Sequence, residues 1–128
     1  YSMNITFDNN IPIYIQLLEY IKIYIMSGVF KSGEKLPSVR EFAISFKVNP
    51  NTMQKALIEL ENEGLIFTER TNGKYVTKDE NIIKKLKDEY ALTLAKSYYE
   101  GMKKIGFAKA DSIKYLNRVG ENNEIIRN

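Results

Sequence analysis

Asn51, Thr52, Gln54 and Lys55 crowd into one short run behind Asn49-Pro50. Their groups are amide, hydroxyl and ammonium. Asn and Gln can pair bidentately with adenine, Lys with guanine, and Thr with a base edge or the thymine methyl. A few residues on stand Glu59, Glu61 and Glu63, which phosphate would repel. If the segment is a helix, its leading end carries these polar groups and the positive end of the helix dipole. Entry into a DNA major groove by N-terminal residues asks for that polarity. Any one of these residues also suits an ordinary solvated face. The set favours base reading.

Lys35, Ser38 and Arg40 lie upstream and offer groups for backbone phosphate, Arg40 also for guanine. A plain ion pair of Arg40 with Glu41 or Glu63 is the rival. Downstream, Arg70, Asn72, Gly73 and Lys74 cluster at a turn, where two basic residues can reach phosphate or the minor groove. A loop made polar for solubility is the alternative there.

The elements that must position these groups are legible. Ser38-Val39-Arg40-Glu41 fits a capping box. Val39, Phe42, Ala43 and Phe46 then recur at helical spacing. Lys47-Val48 makes a turn. Asn49 suits an N-cap and Pro50 the first helical position. Met53, Ala56, Leu57 and Leu60 form the buried stripe of the helix from Pro50 to Glu63, and Gly64 ends it. Leu65 to Thr68 and Lys74 to Thr77 read as short strands, with Asn72-Gly73 at the turn. Two helices joined by a tight turn, then a hairpin, make a winged helix-turn-helix.

Before it, Tyr14, Leu17, Leu18, Ile21, Tyr24 and Ile25 predict a core helix ending at Gly28. Asn9-Asn10 offer its N-cap and Pro12 its first turn. Tyr14 and Gln16 are assigned no chemistry. Val29 to Lys35 reads as a polar connector.

After Lys78 the composition shifts. Ile83, Leu86, Tyr90, Leu94, Tyr98, Met102 and Ile105 recur every three or four residues, which predicts a long amphipathic helix closed by Gly106. Ala110, Ile113, Leu116 and Val119 predict a shorter one, begun near Asp111 and stopped by Gly120, with a frayed end from Glu121. The expected organisation is a winged domain over residues 4–78 and a helical tail over 79–128. The tail stripe must pack on something. The same pair from a second subunit is the economical partner, through Leu86, Tyr90, Leu94, Tyr98, Met102, Ile105, Ile113 and Leu116. Folding back on its own winged domain is the other option.

Charge and composition bound the function. The chain has 128 residues, 44% apolar and 27% charged, with a net charge of +3. No segment is a basic block, so a DNA reading rests on where charges sit. There is no cysteine and no histidine. That removes disulfides, Cys or His metal sites, and catalysis through either residue. Glu59, Glu61 and Glu63 look solvated and lack a metal or histidine partner. No enzyme and no cofactor is expected. No stretch approaches the ~20 apolar residues of a membrane span. Met3 reads as a natural start with no secretory signal behind it, so a cytoplasmic location is expected.

The run from Pro12 to Phe67 resembles the DNA-binding domain of the GntR family of bacterial transcription regulators. The resemblance rests on the P-x-Y-x-Q-L opening, the S-G-x-x-x-x-G-x-x-L-P-S-x-R-E segment and V-N-P-N-T. It covers about half the chain. It implies DNA contacts at Arg40, Asn49 to Lys55 and Gly73. The wing departs at its tip, where Thr71-Asn72-Gly73 replaces a Gly-Arg-Gly-like sequence. The short tail resembles the YtrA-type subgroup, and so implies a two-helix dimerisation element.

The expected fold is mainly α with a small β-hairpin. The expected function is a dimeric, sequence-specific DNA-binding regulator, a repressor acting on a near-palindromic operator. Two alternatives stand. Tyr90, Tyr98, Tyr99, Phe107 and Tyr115 can line a pocket for a small-molecule effector, or the winged domain can serve protein contacts.

Overall fold

A computed structural model describes residues 5–122. Five α-helices and one antiparallel hairpin follow in the order α1 (Ile13–Met26), α2 (Val39–Phe46), α3 (Pro50–Asn62), β1 (Ile66–Glu69), β2 (Gly73–Val76), α4 (Glu80–Lys104) and α5 (Lys109–Asn122). The protein is mainly helical, with a winged helix-turn-helix followed by C-terminal helices. It divides into two compact units, the first ending at Lys87 and the second starting at Asp88.

In the first unit the apolar stripes meet as their spacing requires. Leu17, Ile21 and Ile25 of α1, Phe42 and Phe46 of α2, and Met53, Ala56, Leu57 and Leu60 of α3 are all buried. α3 packs on both α1 and α2 and touches β1. Ile82, Ile83 and Leu86, in the first turns of α4, pack against the same core.

Local chemistry sets the ends of α2 and α3. The Ser38 hydroxyl accepts from the Glu41 N–H at 3.1 Å, and the Glu41 carboxylate accepts from the Ser38 N–H at 3.0 Å. The bond from the Ser38 N–H, and then the Ser38 side chain, hold the Glu41 carboxyl below its ordinary pKa, with a smaller push from the positive charge of Lys35. Lys47 closes α2 in the left-handed conformation, φ +56°. The Asn49 side chain accepts from the Asn51 N–H at 2.7 Å, with Pro50 at the first helical position.

Four expectations from the sequence need correction. The N-cap position of α1 is Pro12, without a side-chain cap, rather than Asn9 or Asn10. Gln16 fastens the lead-in to the helix instead. Its side chain accepts from the Asp8 N–H at 2.7 Å and donates to the carbonyls of Asp8 and Ile11 at 2.7 and 2.8 Å.

The segment read as a polar connector is part of the core and of the sheet. Phe30 is fully buried, with edge-to-face ring contacts to Tyr24 and Phe42. Lys35 bridges to Tyr75, the Leu36 N–H donates to the Lys74 carbonyl at 2.8 Å, and the Val76 N–H donates to the Glu34 carbonyl at 2.9 Å.

The hairpin pairs Glu69 with Gly73, so its loop is Arg70-Thr71-Asn72 and Lys74 lies on β2 opposite Thr68. Gly73 takes φ +110°, a conformation that favours glycine. Finally, α5 runs through Gly120 rather than stopping there. The expected frayed end lies outside the described residues from 123 onward, while Glu121 and Asn122 are helical.

In the second unit α4 continues to Lys104, and Gly106 turns the chain at φ +96°. The Ala108 N–H donates to Asp111 Oδ2 at 3.1 Å, which fastens the start of α5. The Tyr98 hydroxyl donates to the Ser112 carbonyl at 2.8 Å. No helix among the described residues is long and apolar enough to cross a membrane.

Candidate nucleic-acid interface

The helix-turn-helix lays the leading end of α3 open to solvent. Asn51, Gln54 and Lys55 are exposed, Thr52 is half-buried, and the first turn of α3 carries no acidic residue. Backbone N–H groups and the helix dipole therefore point at the same place as the amide, hydroxyl and ammonium groups. Asn49 is also exposed, but its side-chain oxygen is committed to the cap.

The trailing end of α3 is not simply solvated. Glu61 Oε1 accepts from Lys74 Nζ at 3.1 Å and from the Thr68 hydroxyl at 3.0 Å, and Lys74 Nζ also donates to Thr68 at 2.9 Å. Partial burial pushes the Glu61 carboxyl up. The hydrogen bonds from Lys74 and Thr68 and the Lys74 charge outweigh that push and hold its pKa below the ordinary value. Glu63 pairs with Lys22 of α1 at 3.0 Å. Two of the three carboxylates are thus ties, one to the wing and one to α1.

This changes the standing of Lys74. It is half-buried and engaged by Glu61 and Thr68, so its ammonium fixes the wing to α3 instead of standing free at the hairpin tip. Arg70 and Asn72 do lie at the tip and are exposed; Asn72 Nδ2 donates to Glu69 Oε2 at 3.3 Å. Gly73 follows them, and the Lys35 side chain runs beside it, so that a Cβ on Gly73 would stand 3.6 Å from Lys35 Cε. Lys35 therefore runs along the wing beside Gly73.

Ser38 and Arg40 are exposed at the start of α2. The Ser38 oxygen is occupied as acceptor by the cap. The rival partners of Arg40 are engaged elsewhere, Glu41 with Ser38 and Glu63 with Lys22. Sequence reasoning missed one neighbour of this surface. Tyr14, at the start of α1, lies under Lys55, with Nζ 4.8 Å from the ring centroid. Spacing along one helix carries no signal for a contact between two.

The residues named for dimerisation fall in two places. Leu86 packs on the winged core. In the second unit, Tyr90, Tyr98 and Met102 are half-buried, whereas Leu94, Ile105, Ile113 and Leu116 are exposed. Apolar hollows open there. One of about 370 Å³ is lined by residues including Tyr98, Met102, Phe107 and Tyr115. Another of about 720 Å³ is lined by residues including Leu92, Leu94, Ile113 and Leu116.

Comparison with known proteins agrees with this architecture. The HTH-type transcriptional repressor YtrA of Bacillus subtilis is 37% identical over 97 residues, covering 71% of this chain and 75% of that protein. A GntR family transcriptional regulator from Listeria monocytogenes superposes with a TM-score of 0.82 at 40% identity, over 88% of this chain and 99% of the other. AraR(DBD), solved in complex with operator ORX1, superposes with a TM-score of 0.55 at 26% identity, over 60% of this chain and 99% of that one. The profile of bacterial regulatory proteins of the gntR family matches residues 13–76, the stretch from the start of α1 to the end of the wing. With its recognition-type helix exposed at the leading end and a wing beside it, the chain belongs to the GntR family of DNA-binding transcription regulators.

Proposed function

We propose that the chain is a dimeric transcriptional repressor of the cytoplasm that reads a near-palindromic operator. The observation that carries this is the exposed leading end of α3, where Asn51, Thr52, Gln54 and Lys55 meet the helix dipole with no carboxylate among them. These four read bases in the major groove. Arg40, Ser38 and Lys35 grip the backbone, and Arg70 and Asn72 beside Gly73 follow it at the wing. Asn49 and Lys74 hold the interface in shape rather than touch DNA. The repressor role is supported by the similarity to YtrA, and operator binding by the likeness to AraR(DBD) bound to its operator.

The dimer is supported by the tail. Leu94 and Leu116 are 70% and 55% exposed although they sit on apolar stripes. Contiguous exposed apolar surface of this kind marks an interaction site, and two linked reading heads gain strongly from effective concentration. The hollow lined by Tyr98, Phe107 and Tyr115 also suits a small apolar effector, which makes an effector-responsive regulator the second reading.

The test is fluorescence anisotropy with duplex DNA from upstream of the protein's own gene and a scrambled duplex, across a salt series. Preferential binding with log affinity falling linearly against log salt is expected. Arg40→Ala and Lys55→Ala are each expected to cost ~1–3 kcal/mol of binding if they read bases. Unchanged affinity in both variants would show that the DNA surface lies elsewhere.

A further inference from the structure

Lys55 carries its charge on a flexible four-carbon stem with many rotamers. Something must narrow its arc if it is to meet a fixed group on DNA. On its own helix the residue one turn on is Glu59, well spaced for an ion pair. No such pair forms. Lys55 Nζ sits instead over the ring of Tyr14, 4.8 Å from its centroid. A carboxylate would neutralise the charge that DNA must feel. A ring face attracts the ammonium and leaves its charge intact.

Tyr14 is itself well held. It is half-buried against the core, and it lies in the first turn of α1, whose entry is clamped by the Gln16 bonds to Asp8 and Ile11. α1 packs directly on α3. The ring is therefore part of the rigid scaffold, and the lysine is the movable part.

We propose that Tyr14 is a positioning residue for DNA recognition, its ring face holding the Lys55 ammonium at the leading end of α3 in the orientation that meets DNA. This rests on the reading of that end as the DNA-binding surface. It gives the first turn of α1 a role in recognition without direct contact, and the ring alone performs it; the phenolic hydroxyl is not required.

The experiment is a double-mutant cycle in the full chain. The probe is a labelled duplex recovered by selecting the wild-type protein against randomised DNA, and thermal unfolding checks each variant. Tyr14→Leu and Tyr14→Met fill the space without a ring face, and each is expected to weaken binding about 2–5-fold. Tyr14→Phe is expected to bind as wild type. In a Lys55→Ala background, Tyr14→Leu is expected to change nothing further. Equal or tighter binding by the Leu and Met variants, while Lys55→Ala weakens binding, would overturn the role of Tyr14 and leave the DNA surface standing. A loss in Tyr14→Phe as large as in Tyr14→Leu would also overturn it, by assigning the effect to the hydroxyl. An absence of effect in Lys55→Ala itself would overturn this role, and only the same result for Arg40→Ala would remove the DNA surface with it.

Discussion

Leu57 and Leu94 each sit on the apolar stripe of an amphipathic helix. Leu57 is fully buried in the winged unit, and Leu94, in the helical tail, is 70% exposed. The contrast extends to their neighbours. In the winged unit the stripes of α1, α2 and α3 cover one another, and Phe30, Leu36 and Val76 seal the remainder. In the tail beyond Asp88, among the described residues, Ser112 is the one buried residue, while Leu92, Leu94, Ile105, Ile113 and Leu116 stay open. Equal periodicity in a sequence thus reports that a face needs a partner, and says nothing about whether the partner lies in the same chain.

The largest expected effect breaks the contrast from the packed side. Leu57→Ala empties a fully enclosed site and should cost about 2–5 kcal/mol, seen as a lower urea midpoint. Leu94→Ala, measured at concentrations where the chain is monomeric, should cost less than about 0.5 kcal/mol. Similar losses in both would mean that the tail face is covered within one chain.

Adding charge to the open side sharpens the contrast. Leu94→Glu together with Leu116→Glu should give a monomer by sedimentation velocity and weaken operator binding by about 10²-fold or more, the loss of linked binding. The melting of the winged unit should not change. A dimer that survives both substitutions would place the subunit contact elsewhere.

The smallest effect concerns the tie between α3 and the wing. The Glu61 pKa in the folded chain lies below its ordinary value. The stability it brings is therefore present above the unfolded carboxylate pKa and is lost as pH falls through the folded one. Because Glu61 is more than a third exposed, the contribution is at most about 1 kcal/mol. Stability of the wild type should fall more steeply than that of Glu61→Gln as pH drops below the ordinary carboxylate range. Parallel curves for the two proteins would mean that the Glu61–Lys74 contact contributes nothing to the fold.

The parts of this architecture legible in the sequence are those with local causes. The Ser38–Glu41 capping box, Asn49-Pro50 at the head of α3 and the four-residue stripe from Met53 to Leu60 all follow from neighbours a turn apart. What escaped depends on partners far along the chain. Phe30 is buried by rings from Tyr24 and Phe42, and Glu34 to Leu36 add to the sheet through β2. Lys74 looked free because Glu61, its partner, is on another element. Gly120 looked like a stop, yet a single glycine costs a helix only about 1 kcal/mol. At the candidate interface, the exposure of Asn51, Gln54 and Lys55 follows from their polar types, whereas the ring beneath Lys55 carries no signal in the sequence.

Two copies of α3 held in one dimer should read a two-fold operator. Selection of randomised duplex DNA by the full-length chain, followed by sequencing of what is retained, tests it most directly. An enriched inverted repeat is expected, with half-sites about one helical turn apart, ~34–36 Å. Retention of DNA with no enriched sequence, or of a single unrepeated half-site, would contradict it.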